Sequence, residues 1–296
     1  MTATAFLGPR GTFSEEAALL YTERIGRADG EGDTLMPFTS IPALTAAVET
    51  GLATEALLPI ENSIEGPVSA TLDLLIHETT LRITAEVVLP VRHYLVTQPG
   101  AGLDEITVVT SHPQALGQCR RFLDRCLPGA EQVAALSTAA AVQTVGTGEE
   151  RHIAAIGTAR AAELYGATVL AHDIQDVRAN LTRFVALARE DHAPTGDDKT
   201  SLGFTVRANV PGAVHAVVSE LAAKNLQMTK VESRPTKGWL GDYVFLIDVE
   251  GHREDPPVAE ALARVRELTA MLKTFGSYPR FPIETLRELV EPGGVA

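Results

Sequence analysis

One pattern governs the first two thirds of this chain: a short apolar run, a polar junction of two or three residues, then a stretch with helical spacing. TAFLG leads to PRGTFSEEAALLY, ALLPI to ENSIEGPVSATLDLLIH, ITVVT to SHPQALGQCRRFL, VAAL to STAAAVQTV, and HIAAI to GTARAAELYG. Strands that alternate with helices build α/β layers around a mainly parallel sheet. Local signals agree. Thr12 with Glu15 resembles a capping box, Pro113 suits a first helical turn, and Gly51 and Gly166 suit helix exits. LRITAEVVLPVRHYLVT breaks the alternation with two strand-like runs, which reads as a crossing between two subdomains.

AREDHAPTGDDKTS is polar and turn-rich and reads as a linker, after which residues 200–280 form a separate unit. TSLGFTVR, LQMTKVES, DYVFLIDVEG and TFGSY read as strands. PGAVHAVVSELAAKN and PPVAEALARVRELTAMLK read as helices, the first with Val214, Val217, Val218 and Leu221 on one face. The order βαββαβ is that of a ferredoxin-like split unit.

The 296 residues carry a net charge of −13 with no basic block, which argues against a nucleic-acid partner. No apolar run is long enough to cross a bilayer, and MTATAFLG lacks the features of a signal peptide, so a cytoplasmic location is expected. Cys119 and Cys126, on one helix, would lie roughly 10 Å apart along its axis, too far for a disulfide. CxxC, HExxH and P-loop motifs are absent, so neither a metal nor a cofactor is expected.

The strand-to-helix junctions carry the chemistry. Each sets small hydroxyls or amides beside unpaired helix-start N–H groups, where anions bind. Ligands of open α/β sheets sit near the carboxyl ends of strands, and several such ends facing one cleft suit a small polycarboxylate. Ordinary capping explains any single Ser or Thr equally well. LPIENSIEGP offers Asn62 and Ser63, and SHPQALGQC offers Ser111 and Gln118. His112 is adjacent to Ser111, but adjacency alone makes no catalytic dyad. NLTRF sets Asn180, Thr182 and Arg183 at the mouth of an apolar run that begins at Phe184. Arg183 suits an ion pair with a carboxylate, and Thr182 a turn cap. On pattern alone, the chain is an α/β small-anion-binding protein with a C-terminal regulatory module.

AFLGPRGTFSEEAA, LLPIENSIEGPV, TSHPQALGQC, IGTARAAELYG and NLTRF, in that order, resemble the prephenate dehydratase family. PGAV and ESRPTKGWLGDYVFLIDVEG resemble its regulatory ACT domain. The resemblance implies a two-lobed catalytic region (residues 1–189), like periplasmic binding proteins, followed by a ferredoxin-like ACT domain (residues 200–280). It implies a carbon–oxygen lyase that converts prephenate to phenylpyruvate, is inhibited by phenylalanine, and uses no cofactor. The family's essential threonine falls on Thr182. Asn62, Ser63, Ser111 and Gln118 match positions tied to activity or binding. Thr12 and Thr158 stand at helix starts suited to a carboxylate, Arg183 flanks the site, and Phe184 suits a cleft wall. For the effector, the resemblance points to Asn209, Pro211, Gly212, Ala213 and Val214, and to Glu232, Ser233, Arg234 and Pro235. GAVH stands at 212–215 where the family has GALV. No chorismate mutase region is visible, so the chain reads as monofunctional, and as a homodimer or homotetramer because ACT domains pair. The competing readings are an arogenate dehydratase and a non-catalytic small-anion-binding protein.

Overall fold

The computed structural model describes residues 2–26, 33–239, 241–282 and 285. The chain forms two compact units. The described residues of the first lie in 2–68 and 87–184; the second comprises 69–86 and 185–282.

The chain opens with β1 (Thr2–Leu7), α1 (Phe13–Arg24), β2 (Asp33–Phe38), α2 (Ile41–Thr50), β3 (Glu55–Asn62), the short β4 (Gly66–Pro67), α3 (Ser69–His77) and β5 (Arg82–Pro90). β1 pairs in parallel with β2 and β3, as strands joined through helices must. A second sheet follows: β6 (Tyr94–Thr97), β7 (Val108–Ser111), β8 (Glu131–Ala134), β9 (Ile153–Gly157) and β10 (Thr168–Ala171), with α4 (Pro113–Gln118), α5 (Arg120–Cys126), α6 (Thr138–Thr147) and α7 (Ala159–Leu164) between them. Its order is β10-β6-β9-β7-β8. The chain then returns as β11 (Leu181–Ala188) to the first sheet, whose order is β2-β1-β3-β11-β5 with β4 on β3. The alternating α/β expectation holds, except that β6 runs antiparallel to both β9 and β10 and the short β4 antiparallel to β3. VAAL is only half strand. β8 starts earlier, at Glu131, because its pairing with β7 sets the register, and Leu136 beyond it is 96% exposed.

The second unit contains β12 (Asp198–Val206), α8 (Ala213–Ala223), β13 (Met228–Pro235), β14 (Tyr243–Glu250), α9 (Pro256–Leu268) and β15 (Thr269–Pro279). The sheet order β13-β14-β12-β15, all antiparallel, is the ferredoxin-like arrangement expected. Its core is Leu202, Phe204, Val217, Leu221, Ile247, Val249, Ala261 and Val265. TAMLK is not the end of the last helix. α9 stops at Leu268 and Thr269 opens β15, whose ladder to β12 starts at Val206↔Thr269. The apolar spacing of Ala270, Met271 and Leu272 suits either element, and the long ladder decides.

The expected linker is partly bonded structure. Asp198 already belongs to β12, and its carboxylate accepts from Thr195 N–H (2.7 Å), Thr195 Oγ1 (2.6 Å) and Gly196 N–H (3.1 Å). Asp191 pairs with Arg253.

Residues 69–86 belong to the second unit. Lys273 Nζ donates to the carbonyls of Ile76 (3.2 Å) and Thr79 (2.8 Å) at the end of α3. Lys199 Nζ meets the Glu86 carboxylate at 2.9 and 3.0 Å. Arg234 holds Asp73 through Nη2 (2.9 Å) and Nε (3.2 Å). β15 approaches β5 so closely that a Cβ on Gly276 would lie 2.1 Å from the Ile83 carbonyl oxygen and 2.7 Å from its nitrogen. Backbone cannot yield as a flexible side chain can. Gly276→Ala is therefore expected to destabilise the protein by about 3 kcal/mol or more, read from the midpoint of urea unfolding at unchanged m-value.

Candidate active site

Within the first unit a cavity of about 400 Å³ is lined by residues from strands of the first sheet and from loops and helix starts that adjoin strands of the second. Thr12, Phe13 and Ser14 come from the start of α1, and Ser137 and Thr138 from the start of α6. Asn62 and residues 65–68 come from the β3–β4 turn, Thr182 and Phe184 from β11, Gln118 from α4, and His93 from the approach to β6.

The two longer helix starts are capped by a threonine and a serine at strand-to-helix junctions. Thr12 Oγ1 accepts from Glu15 N–H, and Ser137 Oγ accepts from Ala140 N–H. Glu15 does not close the capping box onto Thr12. Its carboxylate reaches one residue further back, to Gly11 N–H at 2.6 Å.

Asn62 is the pivot of the site. Its Oδ1 accepts from the N–H groups of Ile64 and Glu65, both at 2.9 Å, an Asx turn that fixes which end of the amide is oxygen. Its Nδ2 donates to Asn180 Oδ1 (2.7 Å) and Thr182 Oγ1 (2.9 Å), with a longer approach to Leu181 O (3.3 Å). Asn180, fully buried, donates from Nδ2 to Gln118 Oε1 (3.1 Å). His93 Nε2 lies 3.0 Å from that same oxygen, and Gln118 Nε2 donates to Glu65 Oε1 (3.1 Å). Burial pushes the His93 imidazole below the ordinary histidine range, against the Gln118 bond, which pulls the other way.

The structure thus brings Thr12, Asn62, Gln118, Thr182 and Phe184 to one cavity. It does not bring Ser63, Ser111, Thr158 or Arg183 to its lining. Ser63 Oγ stitches the turn to the approach of β11, donating to Ala179 O and accepting from Leu181 N–H. Ser111 Oγ is fully buried and donates to Ile156 O at 2.6 Å. Thr158 Oγ1, also fully buried, caps α7 and donates to Gly11 O at 2.8 Å. Arg183 takes the ion pair open to it, with Glu61 at 3.5 Å. Each hydroxyl is spent on backbone, and for the buried Ser111 and Thr158 this follows because a buried polar group needs a partner. His112 lines the cavity, but its Nδ1 accepts from Gln114 N–H as a helix cap. Sequence reasoning missed Ser137 and Thr138, which share the strand–Ser/Thr–helix signature of the other junctions. It also missed His93, for which no local signal exists. Cys119 and Cys126 are both free, and burial pushes the Cys119 thiol up to about 12.

The second unit holds the proposed effector segments. Asn209 lines a cavity of about 280 Å³ with Thr236, Tyr243 and Phe245. Gly212, at φ +86°, turns the chain into α8. Pro211, Ala213 and Val214 do not line that cavity, and neither do the ESRP residues. The β alternation of β13 splits ESRP: Ser233 and Pro235 are exposed, while Glu232 and Arg234 lie on the other, half-buried face. Burial pushes the Asp73 carboxyl up, but Lys237 and Arg234 outweigh it and hold the group below its ordinary value.

Fold and cavity define a class: a two-lobed α/β protein built to hold a small polar molecule, joined to a ferredoxin-like βαββαβ module. Residues 4–192 match the family profile described as prephenate dehydratase, and residues 200–267 match that of the ACT domain. The chain is 41% identical over 288 residues to the prephenate dehydratase of Mycolicibacterium vanbaalenii, covering 94% of this chain and 91% of that one. It is 36% identical, at a TM-score of 0.85, to the prephenate dehydratase of Arthrobacter aurescens solved in complex with L-Phe, covering 94% and 90% of the two chains. It is also 33% identical, at a TM-score of 0.83, to GqqA, described as a quorum-quenching acylase, covering 95% and 99%. The chain belongs to the prephenate dehydratase family.

One group near the site titrates in a useful range. Glu16, at the start of α1, has its carboxyl raised to about 7, chiefly by burial, against the Arg160 amide and the Thr158 hydroxyl, with Glu15 adding to the rise. A carboxyl raised in the fold is held neutral there. Its contribution to stability is therefore full below the ordinary 4.5 and lost as pH rises through about 7. Glu16→Gln, which stays neutral, is expected to flatten that decline by on the order of 2–3 kcal/mol. Urea unfolding of parent and variant at several pH values across this window measures the difference.

Proposed function

We infer that the cavity binds prephenate and expels carbon dioxide and water from it to give phenylpyruvate. The observation that carries this is the polarity at Thr182. Its Oγ1 accepts from Asn62 Nδ2, an amide end that the Ile64 and Glu65 N–H groups fix, and no described residue accepts from its hydroxyl. The threonine is thereby set as a donor. In the reaction the ring carbon–carboxylate bond breaks, and its electron pair completes the aromatic ring. The ring carbon–oxygen bond then releases hydroxide, which leaves as water once protonated. Thr182 donates a hydrogen bond to that departing oxygen, and the proton itself comes from solvent, because a threonine is too weak an acid to supply it. A preorganised donor of this kind contributes about 3–4 kcal/mol to the barrier.

No lysine or arginine lines the cavity among the described residues, so the carboxylates of the substrate fall to the N–H groups at the starts of α1 and α6, beside Thr12 and Thr138. Gln118 holds the substrate and Phe184 walls the ring. Ser63, Ser111, Thr158 and Arg183 act by shaping the junctions rather than by touching it. The catalytic domain spans residues 1–189 and the ACT domain 200–280, in a cytoplasmic homodimer or homotetramer that needs no cofactor.

Phenylalanine, bound by the Arthrobacter aurescens relative, is the effector here and occupies the ACT domain at the Asn209 turn. To inhibit, it must prefer the less active conformation; tight binding alone shifts nothing. Asn209→Ala is expected to raise the phenylalanine concentration for half-inhibition about tenfold, the loss of roughly one hydrogen bond to a charged ligand. An unchanged inhibition curve places the effector elsewhere.

The GqqA likeness motivates one rival reading, amide hydrolysis. A threonine nucleophile needs a neighbouring base, and the described partner of Thr182 Oγ1 is an amide donor. The deciding assay presents the purified protein with prephenate, arogenate and an acylated amine, without added metal. Phenylpyruvate from prephenate is the expected product; unchanged prephenate with cleaved amide overturns the reading. Thr182→Ala is expected to lower kcat about a hundredfold with less change in KM, and Thr182→Ser to retain more activity.

A further inference from the structure

We propose that Asn180 and His93 are positioning residues that fix the direction of the Gln118 amide, and with it the polarity of the whole site. The inference rests on the reading of the cavity as the substrate site. It begins from a boundary condition that backbone imposes. Asn62 Oδ1 is held by the N–H groups of Ile64 and Glu65, so its other end must be NH2. Asn180 can meet that donor only with oxygen, at 2.7 Å, and therefore turns its own NH2 toward Gln118. Gln118 must answer with Oε1. That oxygen also lies 3.0 Å from His93 Nε2, so Nε2 carries the imidazole hydrogen.

The far end agrees with this answer without imposing it, since Glu65 is exposed and its carboxylate can turn to solvent. Gln118 Nε2 lies 3.1 Å from the Glu65 carboxylate, which accepts hydrogen bonds and does not donate them. Every amide between Asn62 and Glu65 thus has one allowed orientation. Burial, which disfavours the imidazolium, keeps His93 neutral. Packing edge-on to Phe13, with ring centroids 5.4 Å apart and planes at 85°, holds its ring in place. The Gln118 NH2 is thereby turned away from His93 and Asn180, toward Glu65 and the cavity that both Gln118 and Glu65 line. There it is a donor for a substrate rich in acceptors. Asn180 is fully buried and is absent from the cavity lining, so its part is played through Asn62 and Gln118.

Asn180→Asp tests this with almost no change of shape. The new carboxylate still accepts from Asn62, so Thr182 keeps its donor, but it cannot donate to Gln118. The Gln118 amide then turns over, presents NH2 to that carboxylate and to His93, and moves the His93 hydrogen from Nε2 to Nδ1. Imidazole 15N shifts, assigned by comparison with His93→Asn, read this without substrate. The expected result is the Nε2–H tautomer in the parent and Nδ1–H in the variant at about pH 8. The parental tautomer returns as the buried carboxyl, raised above its usual value of about 4, takes up a proton. With prephenate, KM at pH 8 is expected to rise about tenfold, with a smaller fall in kcat, and to recover in the same pH window. His93→Phe, which keeps the ring and removes the donor, is expected to raise KM without any such pH dependence. An Nδ1–H tautomer in the parent, no tautomer change in Asn180→Asp, or a loss of activity that does not recover at low pH each overturns the proposal. If the tautomers switch as stated but prephenate is not consumed, the fault lies with the functional reading and the hydrogen-bond direction stands.

Discussion

The carboxamide of Asn62 organises the first unit's site. Four groups from two distant parts of the sequence meet on it: the Ile64 and Glu65 amides from the turn that follows β3, and Asn180 and Thr182 from the start of β11. Hydrogen bonds in a half-buried setting are individually modest, about 1 kcal/mol each. Their value here is directional. An amide has a donor end and an acceptor end, and once backbone fixes one of them, every partner inherits its orientation. A carboxylate at this position would accept at both ends and turn the Asn180 amide over, and a hydroxyl would leave the orientations open.

The chain is strongly anionic, the proposed substrate is too, and the cavity has no cationic wall among its described residues. Helix starts resolve the conflict. The unpaired N–H groups of α1 and α6 attract carboxylates without a basic side chain, whose charge would also oppose the loss of one of them as neutral carbon dioxide. Thr12 and Ser137 serve this arrangement as caps, since each holds its helix start in shape while leaving other N–H groups free. A residue that reads as a plain cap in sequence thus also lines the cavity.

The α/β alternation, the βαββαβ tail and the junction residues were legible because period and capping chemistry are local. So was the polar bonding of the NLTRF stretch, where groups at the mouth of an apolar strand had to meet something polar and meet Asn62. Other features were not. Ser111 and Thr158 look identical in sequence to Thr12 and Ser137, and only the depth of their junctions separates a buried stitch from a cavity wall. His93 follows a crossing between sheets, and its partner Gln118 lies on a helix 25 residues away, a pairing no local pattern encodes. The end of α9 was misjudged because Met271 and Leu272 satisfy both helical and strand spacing, and only the pairing of β15 with β12 decides. Within ESRP, strand alternation separates residues that a motif treats as one object.

The packing of residues 69–86 into the second unit bears on how such proteins can be assembled over evolution. A module that follows its neighbour as a tail can be exchanged by a single recombination in the linker. Here the incoming module would need its own lysines to meet the end of α3 and Glu86, an arginine to meet Asp73, and a glycine where Gly276 passes Ile83. Those partners are encoded more than a hundred residues upstream. The two segments form one unit of inheritance, and a cassette swapped in at the linker alone arrives without the partners of those lysines, that arginine and that glycine.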